Sequence, residues 1–240
     1  MKIDLEIMHK DLAGYVKDHL SFIHVEKIRT SAITILIMYD IPLFLGLIMI
    51  YKLEFMLAFL PFILILHIWG IRLAIKNPYS TQLEMILFMG IWGVLGAITL
   101  IVLINGMSYF TLHITSIFYY IVINLASILL TCYLVKYQID KYTGDLTKER
   151  EHSNQVKYMG LLTIAPALGY IVTQGLRDTV ILQVVLALIS MYIFLIFMVY
   201  AAAKFLHRFF FIKKNMKYVK YYPISDKEKK KILKQGVEIK

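Results

Sequence analysis

Six apolar stretches divide this chain so that 24 of its 26 Lys and Arg residues fall on one side of them. The stretches are residues 31–51, 55–71, 85–104, 114–135, 158–176 and 180–203. Each is about long enough to cross a hydrocarbon core ~30 Å thick. Unpaired backbone groups are costly there, so a lone spanning segment of this length must be helical. Segments 1–30, 72–84, 136–157 and 204–240 carry five, two, five and twelve cations, whereas the opposite turns hold only Lys52 and Arg177. Cytoplasmic loops accumulate Lys and Arg, which places both termini in the cytoplasm. The expected fold is all-α, a multi-pass cell-membrane protein with six transmembrane helices. An amphipathic segment (1–30) precedes the membrane domain (31–203), and a basic cytoplasmic tail (204–240) follows it.

Composition agrees with this division. Hydrophobic residues make up 59% of the chain and mean hydropathy is +0.68, too apolar for an ordinary soluble domain. No segment between spans is long enough to bury a core of its own. The net charge of +10 sits almost entirely in the tail from Lys204, where twelve cations face Asp226, Glu228 and Glu238. A basic tail beside a membrane helix suits anionic lipid headgroups or a protein partner, and no nucleic-acid partner is expected. The single Cys132 excludes an intrachain disulfide and a multi-cysteine metal site, and no metal centre is expected. The charged first 30 residues, with no small-residue cleavage pattern after the first apolar run, do not read as a cleaved leader.

Residues 4–28 have the spacing of an amphipathic helix, with Leu5, Met8, Leu12, Tyr15, Val16, Leu20 and Ile23 three and four apart. Gly14 weakens its middle. Such a helix can lie at the inner interface or dock under a partner. Pro42 predicts a kink near Met38, and Pro166 a second one in the fifth span. Residues 52–54 allow only a tight hairpin between the first two spans. Thr81 and Glu84 have capping-box spacing and mark a helix start at or just before the third span. Gly90, Gly93 and Gly96 would let a neighbouring helix approach closely. An uncharged outer turn is expected from Asn105 to His113, and a tight one over 174–179.

Few polar groups lie inside the spans. Asp40 precedes Tyr51 by eleven residues, a depth of roughly 16 Å at ~1.5 Å per residue. His67 follows Glu54 by thirteen, roughly 20 Å deep by the same rise. Two antiparallel neighbours would bring them to similar depth. A mid-bilayer carboxylate costs about 2.5–3.5 kcal/mol on insertion scales, so it should face protein or water and find a partner. The pair reads either as a proton-sensitive gate or as a tether between the first two helices, the latter favoured because intramembrane polar groups commonly serve packing. Asn124 and Gln183 read chiefly as hydrogen-bonding glue between helices. No zinc-hydrolase, serine-nucleophile or Walker A signature occurs, so no catalytic residue and no ATPase activity is expected of this chain. Thr143-Gly144-Asp145 has the form of an intramembrane aspartyl protease triplet, but it lies in a charged loop.

The amphipathic entry segment, six spans, inward termini and short turn after the second span together resemble the permease subunit of an ABC-2-type exporter. The likeness covers the whole chain and rests on architecture. It implies export of an amphipathic peptide or lipid-like substrate, in the manner of small bacterial peptide-toxin or lantibiotic exporters. It also implies pairing of two permease chains as a homodimer or heterodimer, and a separate ATP-binding cassette subunit that holds the ATP and Mg, this chain binding no cofactor. In that family the entry helix and the turn between spans two and three contact the ATPase. Here those contacts would come from Leu5, Met8, Leu12 and Lys17, and from Asn77, Tyr79, Thr81 and Glu84, with Pro42 and Pro166 as hinges. Many relatives have a larger outer element between spans five and six than the 174–179 turn provides. Two other readings stand beside this one: an immunity or peptide-binding membrane protein without transport, and a proton-coupled carrier built on Asp40 and His67.

Overall fold

The computed structural model describes Ile3, residues 7–148 and residues 179–219. The expected fifth span with Pro166, the greater part of the basic tail, and Leu5 lie outside the described residues. Within them are two 3-10 turns (His9–Asp11 and Met216–Tyr218) and six α-helices: α1 (Gly14–Leu20), α2 (Val25–Ile50), α3 (Leu53–Ile75), α4 (Pro78–Phe110), α5 (Ile117–Lys141) and α6 (Val180–Lys214). Five of them, α2 to α6, are long and apolar enough to cross a membrane. The chain is therefore an all-helical, multi-pass membrane protein.

The helices outrun the apolar stretches. Hydropathy ends at the first charged side chains, but a helix persists wherever one face still finds packing. α4 starts at Pro78 rather than at the expected Thr81. Asn77 caps it, its Oδ1 accepting from the Tyr79 N–H at 3.1 Å, and Pro78 occupies the first turn, where its missing N–H costs nothing. Thr81 and Glu84 form no capping box: the Thr81 hydroxyl donates back to the carbonyls of Asn77 and Pro78, and Glu84 turns to α3. At its other end α4 runs on to Phe110, so Asn105 is helical and the expected outer turn is shorter than 105–113. α6 continues past residue 203 to Lys214, carrying Lys204 and Arg208 as helical residues.

The entry segment differs more. In place of one helix over 4–28, a 3-10 turn, α1 and then the start of α2 follow one another, with a break at Ser21–His24. Gly14 begins a helix instead of weakening one. Arg208 of α6 ends it, its guanidinium donating to the carbonyls of Asp18 and Ser21. The apolar stripe of this segment is spent within the chain: Leu12, Val16, Leu20 and Phe22 are buried with Ile86 of α4 and Phe211 and Ile212 of α6.

α4 is the central helix, packing most extensively on α6 and then on α2, with α3 laid against α2. The neighbour admitted by its glycines is α6. A Cβ on Gly93 would stand 2.5 Å from the Ala202 backbone nitrogen, so the two backbones touch there. α2 and α3 form a hairpin reversed at Tyr51, whose left-handed backbone (φ 50°) closes α2 through a 2.9 Å bond from its N–H to the Leu47 carbonyl.

Candidate functional site

α2 and α6 both lean on α4 and leave a seam between themselves. The half of the seam at the α1 end of the bundle is a cavity of about 610 Å³, with Glu26, Lys27, Thr30, Ser31, Thr34 and Lys204 among its lining. Deeper in, Trp92 closes its floor, edge-on to Phe197. Trp92 is buried and its indole N–H has no hydrogen-bond partner among the described residues. The other half, about 710 Å³, is lined by Pro42, Leu45, Ile48, Ala187, Met191 and Phe194. Met38 borders both halves. The seam thus passes from a charged mouth to an apolar groove, a gradient that fits a molecule with a polar and a greasy part. Pro42, an expected hinge, lies on its wall. Neither Trp92 nor Lys204 stands out in the sequence, because a seam between helices distant in the chain has no local signature.

Asp40 and His67 meet on the neighbouring face of α2. Asp40 Oδ2 stands 3.1 Å from His67 Nε2, and His67 Nδ1 stands 2.9 Å from the Ile63 carbonyl one turn back. Both ring nitrogens therefore face oxygens. The carbonyl can only accept, so Nδ1 carries a proton; a second proton is needed between Nε2 and the carboxylate. The pair's side chains remain 27% and 30% exposed, and the α2 residues around it, Ile37, Ile41 and Phe44, are exposed and apolar. An ionisable pair so placed along a spanning helix needs a further protein or water neighbour beyond the described residues.

Asn124 pairs with Asn105 of α4. The two amides exchange bonds of 3.1 and 3.4 Å, and each also donates to the carbonyl one turn back. With those bonds made, the pair clamps α5 to α4, reinforced by Ser108 and Tyr119 at 2.9 Å. Gln183 lies in the first turn of α6 and is half-buried.

The residues expected to meet an ATPase divide in two. Leu12 and Thr81 are buried in this chain and present no surface. Met8 is exposed, and Lys17 reaches back to the Lys10 carbonyl. Asn77 and Tyr79 form the start of α4. Glu84 accepts from Trp69 at 2.9 Å and pairs with Arg72 at 3.0 Å, joining α4 to α3.

A buried aromatic cluster welds this end together, and the sequence reading missed it. His19 of α1 stacks on Tyr142 at 3.9 Å between centroids, and its Nε2 lies 3.0 Å from Nδ1 of His207 on α6. His19 falls on the apolar stripe four residues after Tyr15, a position that could have marked it as buried. Burial, with His207, Arg208, Lys204 and Lys141 nearby, lowers the His19 pKa to about 2 from 6.5, and burial pushes the Tyr142 phenol up. His19 must be neutral to stay docked, whereas the released segment takes up a proton below pH 6.5. Its contribution is complete above pH 6.5 and shrinks as pH falls toward 2, by about 2 kcal/mol at pH 5. Acidification from pH 7 to 5 should therefore expose the entry segment to protease, and His19→Phe should flatten that dependence.

Comparison with known proteins finds no matching family model, no matching curated protein and no matching solved structure.

Proposed function

We propose that this chain is the transmembrane permease subunit of a bacterial ABC exporter, working as one of a pair of permeases in the cell membrane and driven by a separate ATPase subunit. Its cargo is an amphipathic peptide or lipid-like molecule. The observation that carries the reading is the α2–α6 seam, charged at the mouth and apolar within. A cargo with a polar head and a greasy body can enter it sideways from the inner leaflet and keep each part in a matching environment. The unpartnered Trp92 N–H offers a hydrogen bond to a polar group drawn past the mouth. The Asp40–His67 face supports pairing of permeases, since a second chain would cover the pair. The welded entry segment supports coupling: a push on its exposed face reaches α4 and α6 together.

Thr34 lines the mouth and is exposed, so a large side chain there obstructs the seam without disturbing the core. Thr34→Trp should reduce energised efflux of a fluorescent amphipathic peptide, or of a fluorescent short-chain lipid, by about tenfold or more while leaving thermal stability within ~0.5 kcal/mol. Unchanged efflux of a probe that the wild type exports would remove the seam as the pathway.

The direct Asp40–His67 bond favours one second reading, a proton-coupled carrier in which this pair relays a proton during transport. Efflux driven by a proton gradient without ATP, and lost in Asp40→Asn, would replace the ATP-driven reading by this one.

A further inference from the structure

Gln138 is almost completely buried (2% exposed), and neither polar atom of its side-chain amide has a hydrogen-bond partner among the described residues. A buried amide donor or acceptor left unpaired costs about 1–3 kcal/mol, so two on one side chain call for an explanation. Gln138 lines a cavity of about 470 Å³ among α4, α5 and α6, apart from the α2–α6 seam. The rest of the wall is almost wholly apolar, with Val94 and Ala97 from α4 and Ala203 and Leu206 from α6. Thr131 spends its hydroxyl on the Ser127 carbonyl, and Nδ1 of His207 faces His19. The small side chains Ala97, Ala202 and Ala203 leave the space open, while the Gly93–Ala202 contact fixes how closely α4 and α6 approach beside it. The volume falls within the ~300–1,000 Å³ of small-molecule sites, and an apolar pocket with one polar anchor is their usual composition.

The geometry points to a binding site for a single-chain lipid whose head carries a donor and an acceptor side by side, namely a protonated long-chain carboxylic acid. Its hydroxyl donates to Oε1 of Gln138 and its carbonyl accepts from Nε2, so one head group satisfies both orphaned atoms. The hydrocarbon tail lies along the apolar walls of α4 and α6. A carboxylate would leave Oε1 facing a negative charge, so the neutral acid is the bound form. An ester has the acceptor and lacks the donor. The site is independent of the transport reading, because it lies in a different cavity and uses different residues.

The test is equilibrium binding of hexadecanoic acid, hexadecanamide and methyl hexadecanoate to the purified full-length protein in detergent, at pH 5 and pH 8. The acid at pH 5 and the amide at either pH are expected to bind about tenfold or more tightly than the ester, the difference of one to two buried hydrogen bonds. Gln138→Leu should bring acid and amide down to the ester's level, leave the ester unchanged and raise the melting temperature of the lipid-free protein. Ala97→Phe, which fills the cavity, should lower binding of all three. Equal affinity of acid and ester in the wild type, or acid binding unaltered by Gln138→Leu, would overturn the assignment. Absence of saturable binding by any of the three would overturn it too.

Discussion

Replacing Gly93 by valine is expected to unseat α6 from α4 and to leave little folded protein. A Cβ at this position would meet the Ala202 backbone nitrogen at 2.5 Å, its Cα at 2.9 Å and the Met198 carbonyl oxygen at 2.9 Å. All three are backbone atoms of a continuous helix, which cannot rotate out of the way as a side chain does. Relief requires α6 to move as a body, and α4–α6 is the largest helix contact in the described structure. Overpacking a core ordinarily costs about 1–3 kcal/mol; a backbone obstruction at the main contact should reach or pass the upper end. Gly46→Ala is the control. Its Cβ would touch the mobile ends of Leu103 and Met191, which can adjust, so a loss below about 1 kcal/mol is expected. Thermal unfolding in mild detergent separates the two. A Gly93→Val protein as stable as Gly46→Ala would show that the close approach of α4 and α6 does not hold the bundle together.

The second large effect is expected at the Asp40–His67 pair, where stability and transport should part. His67→Leu leaves a carboxylate without its partner along a spanning helix, at a cost approaching the ~2.5–3.5 kcal/mol of an unaided Asp at mid-bilayer. Asp40→Leu leaves only an imidazole nitrogen unpaired, roughly 1–2 kcal/mol. The double variant Asp40→Leu/His67→Leu replaces both polar groups by apolar ones of suitable size. It should recover most of the stability, because the penalty lies in the orphaned partner. A double-mutant cycle on thermal unfolding measures this coupling. Transport by the recovered double variant then distinguishes the readings. An ATP-driven permease that uses the pair as a tether or pairing contact keeps much of its export. A proton-coupled carrier loses all of it, stable or not. A cycle with no coupling would mean that the 3.1 Å contact contributes nothing to the fold.

The legible parts of this fold follow from the bilayer's demands on the chain. Apolar runs that must pair their own backbones become helices, so α2 to α6 correspond to stretches that hydropathy picks out. The juxtaposition of Asp40 and His67 is legible for a related reason: a turn this short (Tyr51 and Lys52, since Leu53 and Glu54 of the expected 52–54 turn already belong to α3) fixes two antiparallel helices in register, and rise per residue then converts sequence distance into depth. Helix ends were not legible. Asn77 and Pro78 start α4 before the Thr81–Glu84 spacing suggests, and α6 persists through Lys204 and Arg208 because Phe211 and Ile212 still find a core. The break at Ser21–His24 depends on Arg208, nearly the whole chain away. The α2–α6 seam, the His19–Tyr142–His207 stack and the Gln138 cavity likewise join residues that only the tertiary arrangement brings together. Hydropathy alone puts Asn105 in a turn, and its pairing with Asn124 follows from the greater length of α4.

Energised export by two permeases and a separate ATPase is tested most directly by isolating the tagged chain from its native membrane in mild detergent and assaying the preparation for ATP hydrolysis. The expected result is a stoichiometric ATP-binding cassette subunit with two permease chains, and ATPase activity that rises when an amphipathic peptide or lipid is added. A chain isolated by itself, without an ATPase subunit and without ATP hydrolysis, would contradict it.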